Sequence, residues 1–230
     1  MAGHSKWANI KRKKEANDKV RGALFAKVSR AITIAVIESG GQTDPEHNVR
    51  LRLAVENARA VNMAKDTIQR AIEKGAGGEG ANLKEVRYEG FAPGGVSILV
   101  VAATDNPNRT MPLIRHAFES NGGKLGSPGA VAYLFEQCAQ AIFSTSTHTM
   151  EDVFKLAESM NALDIEAEDE YITVYFPFSL LGTIKADEVS IYYRPLSTVT
   201  VSPEIKTQVE QLIEALETLD DVQHVFANYA

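Results

Sequence analysis

Nine basic side chains lie in the first thirty residues, Lys6, Lys11, Arg12, Lys13, Lys14, Lys19, Arg21, Lys27 and Arg30, against two acidic ones. Such a spread suits a polyanion rather than a point ligand, because every phosphate neutralised along a nucleic-acid backbone releases counterions. Val20, Leu24, Val28, Ala31 and Ala35 repeat at helical spacing. With Val20 at zero, their stripe centres at about 40°, while Lys19, Arg30 and Lys27 fall at about 260°, 280° and 340°. Three cations therefore share one flank of a helix and continue the charge of the arm before it. The plainer readings are a solvated tail without function and a strip for an acidic protein partner. Trp7, the only tryptophan, sits inside the basic run. Its ring can stack on a base, or it can anchor the arm to the helices that follow.

Other candidate chemistry is weaker. GAGGEG at 75–80 matches the dinucleotide fingerprint by letter. That motif needs a strand before its first glycine and a helix after its last, and the flanking patterns here run the other way. A helix end entering a linker is the better reading. His4, His47, His116, His148 and His224 are scattered, with no His-x-x-x-His and no cysteine pair, so no metal site is expected. Cys138, the single cysteine, reads as a strand thiol rather than a nucleophile. Asp164, Glu166, Glu168, Asp169 and Glu170 lack the spacing and the glycine of a calcium loop and read as a solvated turn. Asn108, Arg109 and Thr110 stand at a helix start, where backbone N–H groups and Arg109 can receive a phosphate or a carboxylate. There Arg109 can equally be a plain surface residue, with Thr110 as the helix cap.

The chain has 230 residues and a net charge of -6, which conceals a split. Residues 1–74 carry 15 basic and 8 acidic side chains, and residues 75–230 carry 9 and 22. A basic module on an acidic body is expected, with the body free to meet protein partners. No apolar run is long enough to span a membrane, and the basic start lacks a signal-peptide core, so a cytoplasmic protein is expected.

These side chains need elements to hold them. Residues 17–74 read as three helices. The first ends at Gly40-Gly41. The second opens at Thr43-Asp44-Pro45-Glu46 as a capping box and runs to about residue 60, and the third is capped by Asn62. Gly75, Gly77, Gly78 and Gly80 then form a linker expected to let the helical head move against the body, the competing reading being a tight corner with the head packed rigidly on the second domain. VRYEGF, APGG and VSILVVAAT read as strand, turn and strand, with Pro93-Gly94 at the centre of a type II turn. Thr110 is expected to cap a helix ending at Gly122-Gly123, followed by a strand at about 130–136. AQAIFS is a further strand, THTMEDVFKLAES a helix, IEAEDEYITVYF two strands around Glu168-Asp169, and VSIYYR another strand. Ser202-Pro203 open a helix carrying Ile205, Val209, Leu212, Ile213 and Leu216, and Val222–Phe226 form the last strand. This is an α+β pattern behind a helical head.

MAGHSKWANIKRKK at the start, YEGFAPGG at 88–95, TDNPNRT at 104–110, GGKLGSPGAVAYLFE at 122–136 and ALETLDDVQHVF near the end resemble the YebC/PmpR family along the whole chain. The resemblance implies an α+β multidomain protein: an N-terminal three-helix domain, then two α+β domains, the third ferredoxin-like and inserted in the second. The implied boundaries are a basic arm 1–16, a helical domain 17–75, a Gly-rich linker 76–81, an α+β domain of 82–136 plus 199–230, and an insert 137–198. CAQAIF and residues 177–190 depart from the family's usual pattern. Members are described as DNA-binding transcriptional regulators, and relatives include a mitochondrial translational activator. The resemblance thus implies a non-enzymatic, nucleic-acid-binding regulator, with a ribosome- or rRNA-associated translation factor as the alternative. The expected nucleic-acid-binding set is Lys6, Trp7, Lys11, Arg12, Lys13, Lys14, Lys19, Arg21, Lys27, Arg30 and Arg109. No catalytic residue, cofactor, metal, membrane or small-molecule substrate is expected.

Overall fold

A computed structural model describes residues 18–77 and 82–230, with side chains of the first helix described from Gly22 onward. The expectations for Lys6, Trp7, Lys11, Arg12, Lys13 and Lys14 lie outside the described residues, as do those for 78–81. Lys19 and Arg21 are described in their backbone alone.

Helix α1 (Asp18–Glu38) is the spine of the head. It stops where Gly41 N donates to Val36 O at 2.9 Å, with Gly40 and Gly41 at φ +72° and +90°. Helices α2 (Val49–Ala60) and α3 (Lys65–Ala76) both pack on α1. The head core joins Val28, Ile32, Ala35 and Val36 to Leu51, Val55, Ala58, Ile68, Ala71 and Ile72. The buried stripe of α1 is therefore rotated from the expected one, with Ile32 and Val36 in place of Ala31. Two neighbouring helices need a wider apolar face than a single row supplies.

Both expected caps in the head are corrected. Asn48, not Thr43, caps α2: its Oδ1 accepts from Leu51 N at 3.0 Å. Its amide nitrogen donates to Ala35 O at 2.9 Å and Gln42 O at 3.1 Å, tying α1 to α2. Asn62 caps nothing. It takes a left-handed turn at φ +59°, and Ala64 precedes α3 without a side-chain cap. The glycine linker is also shorter than its composition suggests. Gly75 lies inside α3, where a Cβ would stand 2.7 Å from Val36 Cβ and 2.8 Å from Thr33 O. This glycine brings two helices together rather than loosening the chain.

The second domain has an antiparallel sheet in the order β3-β1-β2-β8. Its strands are β1 (Lys84–Phe91), β2 (Ser97–Thr104), β3 (Lys124–Leu125) and β8 (Val222–Ala227). The β1–β2 turn has Pro93 followed by Gly94 at φ +75°. Helices α4 (Pro107–Ser120) and α6 (Pro203–Glu217) lay Ile114, Phe118, Val209, Leu212 and Leu216 on Ile98, Val100 and Ala102. All eight residues of β2 are buried, and α1 packs against β2 and β8. The described residues of 18–134 group with 197–230 as one compact unit, in which the head packs on the second domain.

Residues 135–196 form the other compact unit. Strands β4 (Phe135–Ser144), β5 (Asp164–Ala167), β6 (Tyr171–Pro177) and β7 (Glu188–Pro195) pair antiparallel in the order β5-β6-β4-β7, with α5 (Met150–Ser159) between β4 and β5. This is the ferredoxin-like order, with the second helix reduced to a short turn at Phe178–Leu180. The two strands expected at 130–136 and 139–144 are corrected to one. Phe135 to Ser144 is a continuous central strand paired on both sides, and the residues before it form an anchored loop. That anchor is Glu89, buried on β1, whose carboxylate accepts from Gly129 N, Val131 N and Ala132 N at 2.7, 2.6 and 2.7 Å.

Candidate nucleic-acid interface

The cation flank of α1 carries Lys27 and Arg30 to the C-terminal end of α6. Lys27 Nζ donates to Glu217 O, and Arg30 Nη1 donates to Asp220 O. Arg30 Nη2 lies 3.5 Å from Asp221 Oδ1. The last carbonyls of a helix have no partners within it and carry the negative end of its dipole, so cations are stabilised there.

Asp221 is the hub of this seam. Its side chain is 10% exposed. Thr110 Oγ1 donates to Asp221 Oδ2 at 2.6 Å, and Arg109 Nη2 donates to the same oxygen at 3.3 Å. The Asp221 main-chain oxygen accepts from Ala103 N at 2.7 Å, which ties the corner to β2. Thr110 is thereby removed from the capping role expected of it. Helix α4 begins at Pro107 with Asn106 as its cap, accepting from Arg109 N at 3.3 Å, and Thr110 is buried in the first turn beside Thr104 Oγ1 at 2.7 Å.

Arg109 takes carboxylates of its own chain. Besides Asp221 it donates to Asp105 Oδ1 at 2.8 Å. That hydrogen bond holds the Asp105 carboxyl below its usual range, and the bonds to Asp105 and then Asp221 push the guanidinium further up, so it stays charged. The structure therefore brings Lys27, Arg30 and Arg109 to one corner, where each is engaged internally. Sequence reasoning missed Asp221 altogether. Nothing in an Asp-Asp pair after a helix marks it as the meeting point of residues 30, 109 and 110.

Candidate reactive groups elsewhere are quiet. Burial pushes the Cys138 thiol up to about 11, which keeps it protonated at neutral pH. Among the described residues, no three His, Cys, Asp or Glu side chains group as metal ligands. No described helix is long and apolar enough to cross a membrane.

The geometry can be set beside known proteins. The family model for the TACO1/YebC protein N-terminal domain matches residues 5–78, and that for the TACO1/YebC second and third domain matches residues 83–229. A probable transcriptional regulatory protein of Thermus thermophilus is 45% identical, over 99% of this chain and 96% of that one. One from Rubrobacter xylanophilus is 44% identical, over 100% of this chain and 95% of that one. The crystal structure of a conserved hypothetical protein from Aquifex aeolicus matches with a TM-score of 0.84 and 39% identity, over 91% of this chain and 90% of that one.

Proposed function

This chain belongs to the TACO1/YebC family, and from that premise we propose that it is a regulator that binds duplex DNA through its N-terminal cations. The observation that carries the reading is the charge split: nine basic and two acidic side chains in residues 1–30, on a body with 22 acidic and 9 basic ones after residue 74. Lys6, Lys11, Arg12, Lys13, Lys14, Lys19 and Arg21 supply the phosphate contacts, which give affinity and register without reading sequence. Trp7 adds a ring for stacking within the same run. Lys27, Arg30 and Arg109 first hold the corner between α1, α4 and α6, and they add to binding only when those bonds are exchanged. The acidic body keeps the polyanion on the arm side and offers its surface to protein partners. The names of the relatives, probable transcriptional regulatory proteins, agree with this role.

The test is a fluorescence-anisotropy titration of labelled duplex DNA with the whole chain and with residues 17–230. The truncated chain is expected to lose most of its affinity while its thermal midpoint hardly moves, because residues 1–16 carry no sustained apolar period to bury. Equal affinity of the two would remove the reading. Tighter binding of the whole chain to ribosomal RNA than to duplex DNA would transfer the same cations to a ribosomal target.

A further inference from the structure

Lys27 and Arg30 belong by sequence to the basic stretch, yet their donors face the end of α6 and Asp221. A guanidinium bound to Asp220 O and Asp221 cannot also clamp a phosphate with those same N–H groups. The seam is built to let Arg30 go. Asp221 keeps Thr110 Oγ1 at 2.6 Å and Arg109 at 3.3 Å when Arg30 leaves, so no buried carboxylate is orphaned. The carbonyl of Glu217 ends α6 and that of Asp220 lies in the exposed turn after it, and at both water can replace a cation. The packing of α1 on β2 and β8 need not break, because the exchange involves side chains alone.

We propose that this seam is an autoinhibitory latch, in which Asp221 and the carbonyls of Glu217 and Asp220 compete with nucleic-acid phosphates for Arg30 and Lys27. The proposal rests on the reading of the N-terminal cations as phosphate-binding. Two ligands that need the same side chains oppose each other's binding, so a weaker latch must raise affinity for the polyanion.

Asp221→Asn tests this against Glu119→Gln, which removes the same charge from an exposed position on α4 about two and a half turns beyond Thr110. Both variants gain from the lost negative charge. Asp221→Asn is expected to gain at least about fivefold more in affinity for duplex DNA, within the ordinary range of site coupling. Adding Arg30→Gln to it should abolish the extra gain. Equal gains for the two single variants, or a gain that survives Arg30→Gln, would overturn the latch. The intact chain gives a second reading that no misfolding can spoil. On titration with duplex DNA, the NMR signals of the Asp221 carboxyl carbon and the Arg30 Nε should shift in step with binding, and an unmoved Asp221 signal would overturn the latch. If the whole chain binds no duplex at low salt, the functional reading itself fails. If it binds and the single variants match, only the latch fails.

Discussion

Replacing Glu89 with glutamine is expected to cost about 3 kcal/mol of stability and to free the segment 126–132. Glu89 is 7% exposed and accepts three backbone N–H groups through both oxygens. An amide keeps one acceptor and turns an NH2 toward donors that already point inward, so at least one buried N–H is orphaned. Burial alone pushes this carboxyl up, but the three backbone bonds and the nearby Arg87 charge together outweigh it and hold it below its usual 4.5. A carboxyl lowered on folding stabilises the fold fully above its unfolded value, and this contribution fades as pH falls toward the folded value. The gap between the native chain and Glu89→Gln should therefore be widest at neutral pH and shrink below pH 4.5. Denaturant melts across that range measure it, and amide exchange at Gly129, Val131 and Ala132 should quicken at once. A variant as stable as the native chain at neutral pH would show that the loop holds itself.

Gly90→Ala should be as damaging, at about 3 kcal/mol, through overpacking. The new Cβ would stand 2.6 Å from Phe118 Cε1 and 2.7 Å from Lys124 O. Phe118 is fully buried in the core, and Lys124 O belongs to the paired strand β3, so neither can yield cheaply. The same change at Gly22 meets nothing within 4 Å and lies in a helix interior, where alanine is favoured by about 0.5–1 kcal/mol. Thermal melts of the two variants should thus move in opposite directions. A Gly90→Ala midpoint at the native value would mean that α4 retreats from the sheet without loss.

Local signals made some elements legible and tertiary partners decided others. Ser202-Pro203 announced α6, because a side-chain acceptor and a proline at the first helical position act within one turn. Thr43 and Thr110 looked equally good as caps, but neighbouring asparagines took both starts. Asn48 wins because its amide also reaches Ala35 O, and Asn106 wins because Thr110 is drawn inward to Asp221. Neither partner is visible in a local window. Phe135–Ser144 is a single strand although the residues before it carry a strand's pattern, because a carboxylate some forty residues earlier holds those residues as a loop. The basic stretch was plain from counting, but its division was not. Lys27 and Arg30 meet partners 190 residues away in the chain, a distance that no periodicity spans.

The salt dependence of binding tests the central claim most directly. Affinity for one duplex should be measured from low to high salt with the whole chain and with residues 17–230. Five arm cations, Lys6, Lys11, Arg12, Lys13 and Lys14, imply a slope of log affinity on log salt steeper by about 4 to 5 for the whole chain, and an affinity loss of roughly a thousandfold on truncation at physiological salt. Parallel slopes for the two chains would contradict the account, because the arm would then be neutralising no phosphates.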